Sequence, residues 1–234
     1  MAAHSPSNCS TTPTSPMPMC WRSRPAWGRP PPRSSNANPR SYVGVEADAD
    51  AVSLTQQVVG SRGRVVTADA DSTGLDDASV DAAIGEAMLT MQSERHKADI
   101  IAEAFRVLRP GGRYAIHELA LNPDTLSDDQ KTEIRKSLAR SIKVNARPLT
   151  EAEWRTVLTD AGFEIETVRF APMALLQPRR VIADEGVGRT LRFVANVIRQ
   201  PAARKRVLGM RKTFTTYRDN LAAIEVIARK PADR

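Results

Sequence analysis

The nine residues from Phe105 to Arg113, F-R-V-L-R-P-G-G-R, run directly into the apolar stretch Tyr114-Ala115-Ile116-His117-Glu118-Leu119. Upstream, Lys97 to Leu108 places Ile100, Ile101, Ala104, Phe105 and Leu108 at helical spacing, so one face of a helix is apolar. Pro110 cannot continue that helix, because it lacks an amide hydrogen and its ring collides with the preceding turn. Gly111 and Gly112 supply the backbone freedom of a tight turn. Arg113 to Leu119 then reads as a buried strand. A helix, a turn and a strand in so short a span form the joint of an alternating α/β fold.

The alternation extends in both directions. Ser41 to Glu46 is a short apolar run ending in an acid, and Asp48 to Val59 follows as a helix with Val52, Leu54 and Val58 on one side. Arg64 to Asp69 repeats the pattern and closes on Asp69-Ala70; Val80 to Ile84 is a third run, with Gly85-Glu86 at its end. Beyond the decisive joint, Thr150 to Ala161 reads as a helix opened by a capping box, Thr150 with Glu153, and closed by Gly162. Phe163 to Phe170 and Ala222 to Arg229 are two further strands. Connections this short imply a parallel sheet with right-handed crossovers, whose ligands bind beyond the carboxyl ends of the strands. Those ends carry Glu46, Asp69-Ala70, Gly85-Glu86 and His117-Glu118. Acids and a glycine at successive ends suit a ligand offering hydroxyls and an amino group, rather than a string of phosphates.

A chain of 234 residues is long enough for one domain with a core. No apolar run reaches the roughly 18 residues of a membrane span, and no secretory segment is expected near Met1, so a cytoplasmic protein without a membrane partner is expected. Cys9 and Cys20 offer neither a disulfide framework nor metal-ligand spacing, and no metal site is expected. The net charge of +7 divides unevenly. Residues 1–40 hold five arginines and no acid, leaving 29 basic against 27 acidic residues for the remainder. That near balance removes the electrostatic case for a general polyanion ligand, so no nucleic-acid partner is expected.

Residues 1–40 contain no Leu, Ile, Val or Phe, yet hold nine of the 16 prolines. Such a stretch builds no core, and reads as a disordered tail or as a segment translated out of frame. Shifting the frame by two nucleotides turns Met19-Cys20-Trp21 into Val, Leu and then Glu or Ala, the start of a strand, and keeps a glycine at Gly28, 18 residues before Glu46. Dinucleotide folds separate their glycine turn from the ribose-binding acid by about 20 residues. As printed, the chain is expected to lack a first strand and a glycine-rich loop.

The order V-G-V-E (43–46), V-V-T-A-D-A (65–70), D-D-A-S-V-D-A-A-I (76–84) and F-R-V-L-R-P-G-G-R (105–113) resembles the class I S-adenosylmethionine-dependent methyltransferases, in their small-molecule branch. The resemblance implies a Rossmann-like α/β sheet of seven strands, mostly parallel, with one antiparallel strand near the C-terminus. It implies S-adenosylmethionine as cofactor, with Glu46 and the adjoining Ala47 at the ribose hydroxyls, Asp69 at the adenine amino group, Ala70 against the ring, and Gly85 and Glu86 beside the methionine portion. Asp81, at the start of its strand, is read as structural. Residues 41–234 would form an incomplete methyltransferase domain, with a helical insertion at about 171–221 as a substrate lid. That insertion contains Leu191 to Ile198 and Ala202 to Thr213 as helices, and Arg204-Lys205-Arg206 with Arg211-Lys212 as a basic face. The face reads first as solvated, with an acidic substrate or RNA as alternatives.

Methyl transfer from a sulfonium needs orientation and desolvation more than a dedicated base. Where the acceptor carries a proton, Glu86 and His117 are the candidate catalytic residues. No N/D-P-P-Y motif and no metal-ligand cluster is present, which leaves a small organic acceptor. A short-chain dehydrogenase lacks support, since no Tyr-x-x-x-Lys occurs: Tyr114 is followed by Glu118. A non-catalytic, vestigial relative that binds the cofactor poorly or not at all stays open as the alternative.

Overall fold

The structure, a computed structural model, describes residues 18–22, 42–172 and 201–232. In chain order the elements are β1 (Pro18–Arg22), β2 (Val43–Glu46), α1 (Ala49–Val59), β3 (Arg64–Thr67), β4 (Val80–Glu86), α2 (Glu94–Val107) and β5 (Leu108–Leu121). There follow α3 (Asp128–Ile142), β6 (Leu149–Thr150), α4 (Glu151–Asp160), β7 (Glu164–Pro172), α5 (Pro201–Thr216) and β8 (Leu221–Arg229). The sheet runs β3-β2-β1-β4-β5-β8-β7, with the two residues of β6 paired to β5. Strands β1 to β5 are parallel to their neighbours, whereas β8 is antiparallel to both β5 and β7. This is the mostly parallel α/β sheet that the alternation predicts.

One expectation is corrected. The first-strand position is not missing from the chain: Pro18–Arg22 lies between β2 and β4, with Cys20 in register with Gly44 on one side and Ile84 on the other. A strand inside a parallel sheet needs a hydrogen-bonding ladder before it needs a particular side chain, and Pro18 takes the first position, where a missing amide is tolerated. The strand begins one residue before Met19, where the shifted-frame reading also starts a strand. The remainder of residues 1–40, the glycine-loop region and the predicted helix Leu191 to Ile198 all lie outside the described residues.

The helices start where the sequence supplies caps. Asp48 accepts from the amides of Asp50 and Ala51, Ser93 from that of His96, and Thr150 and Glu153 form the expected capping box. Helices α2 and α4 cover one face of the sheet. There Ile100, Ile101, Ala104, Trp154 and Leu158 pack with Ala83, Tyr114, Ile116 and Val226, all nearly inaccessible to solvent. A second cluster joins α3 and α5 beyond the end of β5, built from Leu121, Ile134, Leu138 and Leu221 with Phe214 and Tyr217 at its margin. Among the described residues no helix is long and apolar enough to cross a membrane.

The Pro-Gly-Gly joint is built differently from a simple helix stop. Helix α2 ends at Val107, and the five residues L-R-P-G-G already belong to the span of β5. They bulge out of it: Val80 pairs with Leu108, but Ala82 pairs with Arg113. Lys230, just past β8, closes both sides of this bulge. Its amide and carbonyl bond Gly112 and Gly111 at 2.8 and 2.9 Å. Its Nζ donates to the carbonyls of Phe105 and Leu108, each at 2.8 Å, satisfying acceptors that the end of α2 leaves open. Gly111 takes φ +79°, and a Cβ on Gly112 would lie 2.8 Å from the Arg109 carbonyl oxygen and 2.9 Å from that of Asp81. Both of those contacts are backbone and cannot swing away. Asp81 bonds Arg109 Nη1 at 3.2 Å, a structural role. Gly112→Ala should therefore lower unfolding free energy by about 1–3 kcal/mol in urea denaturation; an unchanged midpoint would contradict the close approach.

Candidate active site

The carboxyl ends of β2, β3 and β4 fall along one edge of the sheet, with Glu46, Ala47, Asp69, Ala70, Gly85 and Glu86 at or just beyond them. Glu46 is the last residue of β2 and is only 7% exposed, with Oε1 accepting the Asp48 amide at 3.2 Å. Ala47 follows it into solvent. Asp69 lies exposed beyond the end of β3, where its carbonyl takes the Ser72 amide at 3.1 Å, and Ala70 packs half-buried against the main core. In the same loop Asp71 pairs with His96 Nε2 at 3.1 Å, tying the loop to α2.

Register decides which side chains share a face. Val45, Trp21, Gly85 and Ile116 form one row across β2, β1, β4 and β5. The next row along the strands therefore carries Glu46, Glu86 and His117 on the opposite face. Glu86 and His117 are direct cross-strand neighbours, and His117 is in turn opposite Glu225 of β8. The structure thus brings the two candidate bases side by side, with Glu46 two strands away on the same face. His117 is exposed and lies level with the end of β4, while β5 continues four residues further to Leu121. Gly85 faces the other way; a Cβ there would come within 2.9 Å of the Tyr114 hydroxyl, which burial makes much harder to ionise.

The backbone leaves β4 through Ala87, at φ +52°, a left-handed conformation that an alanine adopts only when its surroundings enforce it. Two attachments do so. The Ala87 amide bonds the His117 carbonyl at 2.8 Å. Beyond it, Glu118 collects the following turn: its carboxylate accepts from the amides of Met88, Leu89 and Thr90 at 2.9, 2.8 and 3.1 Å and from the Thr90 hydroxyl at 2.6 Å. Burial pushes the Glu118 carboxyl above its usual range, and these donors pull against that shift. Glu118, which the sequence puts beside His117 at a ligand-facing strand end, instead points to the covered face and holds the loop. The signal was present, since Tyr114, Ile116, Glu118 and Ala120 alternate as one inward-facing set.

The network continues into the loop before β6. The Arg147 amide bonds the Thr90 carbonyl at 2.7 Å, and the Arg147 carbonyl takes Lys97 Nζ at 2.7 Å. Lys97 is fully buried on α2, with its ammonium 5.7 Å from the centre of the Trp154 ring. Burial, then repulsion from Arg135, brings its pKa down to about 8 from 10.5. Between those values the folded chain binds fewer protons at Lys97 than the unfolded chain, so its contribution to stability rises with pH across that interval. The unfolding free energy of wild type relative to Lys97→Met should accordingly increase from pH 7 to pH 10 by up to about 3 kcal/mol, measured by urea denaturation of both proteins. A flat difference would contradict a buried, deprotonation-prone amine.

Known proteins resemble this arrangement in sequence and in fold. A methyltransferase domain family matches residues 29–116, which takes in the tips of β2, β3 and β4 and most of β5. An uncharacterized protein of Haemophilus influenzae is 32% identical over 192 residues, 80% of this chain and 74% of its own length. Among solved structures, the [4+2]-cyclase SpnF superposes with a TM-score of 0.62 at 19% identity, over 94% of this chain and 76% of its own. The Haemonchus contortus phosphoethanolamine N-methyltransferase 2, in complex with S-adenosyl-L-methionine, superposes with a TM-score of 0.63 at 17% identity, over 93% of this chain and 49% of its own. At such identities the two structures speak to fold alone. The match to the methyltransferase domain family over residues 29–116, which carries the strand tips, and the Rossmann-like sheet order together give this chain a methyltransferase domain of that fold.

Proposed function

We propose that this chain transfers the methyl group of S-adenosylmethionine to a small organic acceptor at the carboxyl edge of β1 to β5. The observation that carries the reading is Glu46, a nearly buried carboxylate at the tip of β2. A carboxylate in that position can accept from two neighbouring hydroxyls at once, which is what a ribose ring presents. We assign Ala47 to the chain beside the ribose, Asp69 to the adenine amino group, Ala70 to the adenine ring, and Gly85 with Glu86 to the methionine portion. The donor set fits the cofactor: acids for hydroxyls and an amine, and a small residue for an aromatic face. The loop that would meet the methionine carboxylate belongs to residues outside those described.

When bound, S-adenosylmethionine would supply an activated methyl on a positively charged sulfur. The chain's own task is then to orient the acceptor for in-line displacement and to keep water out. Glu86 and His117, adjacent across the β4–β5 ladder, are placed to take the acceptor's proton as the methyl arrives. The enforced turn at Ala87 supports this assignment, because it sets the direction in which the chain leaves Glu86. A vestigial, non-binding relative is not favoured: the acids at the strand tips and the anchored loop are what a working site requires. A cytoplasmic location is proposed from the sequence alone.

Calorimetric titration of the full chain with S-adenosylmethionine should show saturable binding, weakened tenfold or more in Glu46→Gln by loss of a charged acceptor. His117→Ala should leave that affinity in place and lower methyl transfer about 10²–10⁴-fold if His117 is the base. Equal affinity in Glu46→Gln and wild type would overturn the ribose assignment.

A further inference from the structure

The near-neutral charge of the body conceals a strong separation. Residues 134–147 hold five lysines and arginines and residues 201–216 hold five more, with no acid in either stretch. Removing these ten from the 29 basic and 27 acidic residues of 41–234 leaves 19 against 27 elsewhere. Positive charge is thus gathered on the C-terminal half of α3, the loop after it, and α5, within an otherwise acidic body.

These elements meet. Helices α3 and α5 pack side by side, with Leu138 buried and Phe214 and Tyr217 at its margin. Between them opens a cleft of about 390 Å³ lined by Ser137, Arg140, Ser141, Lys212, Thr213 and Tyr217. Gly209 also borders it and adds no side chain. Arg140 and Lys212 are exposed, and among the described residues neither is paired with a carboxylate. The nearby acid Glu133 is engaged, accepting the Tyr217 hydroxyl at 3.0 Å. The Ser141 hydroxyl is likewise committed, to the Leu138 carbonyl at 3.0 Å, so the donors the cleft offers are a guanidinium on one helix, an ammonium on the other, and the hydroxyls of Ser137 and Thr213 beside them.

Its place in the fold gives this donor set a use. The chain leaves β5 at Leu121 to enter α3 and returns from α5 into β8 at Leu221, and those two residues are paired. Both helices therefore stand beyond the carboxyl end of β5, the end of the sheet that bears Glu46, Glu86 and His117. A planar carboxylate would leave several of these donors unused, whereas a phosphate presents three terminal oxygens in a tetrahedral array and a charge approaching −2. We propose that the α3–α5 cleft binds the phosphate group of a phosphate-bearing methyl acceptor, with Arg140 and Lys212 as its counter-ions. This specifies the acceptor class of the methyltransferase reading above and rests on it.

Inorganic pyrophosphate is the probe, titrated calorimetrically at low salt into the full chain and into Arg140→Gln, Lys212→Gln and Arg204→Gln. The last is an exposed cation of α5 outside the cleft. The cleft predicts saturable one-to-one binding, weakened about tenfold or more by either cleft substitution and unchanged in Arg204→Gln, with S-adenosylmethionine affinity the same in all four proteins. Absence of saturable binding overturns the proposal. So does equal weakening by all three substitutions, or tighter binding of a 20-nucleotide RNA whose loss is spread over them, because either describes a diffuse polyanion surface. Pyrophosphate binding in a protein that does not bind S-adenosylmethionine would remove the acceptor role, and with it the methyltransferase reading, while retaining the anion site.

Discussion

The carboxylate of Glu118 is the point on which the functional edge of this fold depends. Taken out of water by the covering helices, it meets three consecutive amides and a hydroxyl of the turn that follows β4. A buried charge without such partners would cost several kcal/mol. With them it acts as a fixed acceptor around which the turn is wound. The consequences reach outward in both directions. Toward the site, the turn fixes the exit from β4 and so the placing of Glu86 against His117. Away from it, Thr90 receives the Arg147 amide, and Arg147 receives Lys97, so that α2, the loop before β6 and the β4–β5 pair form one bonded unit.

Much of this was legible in the sequence, for reasons that differ by element. The helix-to-strand joint at Pro110-Gly111-Gly112 was visible because proline and glycine act locally, although the residues sit inside the strand as a bulge held by Lys230, a partner more than a hundred positions away. The capping box of Thr150 and Glu153 is likewise a local signal and appears as read. Helix α3 left a weaker trace. Only Ile134 and Leu138 of its fifteen residues are buried, too thin a stripe to stand out, yet Ser127 and Gln130 form a capping box that would have marked its start. Strand β1, P-M-C-W-R with no β-branched residue, carries little of the pattern of a core strand; its position comes from the ladders on either side.

The acids at the strand tips show both the reach and the limit of pattern reading. Glu46, Asp69 and Glu86 lie at the ends of their strands as expected, because strand length and period place them there. Alternation along β5 separates His117 from Glu118, sending one to the open face and the other beneath the covering helices, and a single register step decides which is which. Charge behaved in the same way. A balanced total over the body said nothing of where the charges lie, and only the pairing of α3 with α5 brought the positive ones together. The fold by itself does not choose the chemistry, since the similar SpnF structure is a cyclase.

Hydrogen–deuterium exchange of the full chain, with and without S-adenosylmethionine, tests the central claim most directly. If the carboxyl edge of the sheet is the cofactor site, protection will rise at residues 46–48, 68–72 and 85–90 and remain unchanged in α4 and β7. Exchange that is identical in the two conditions, or protection confined to surfaces away from those strand tips, would contradict it.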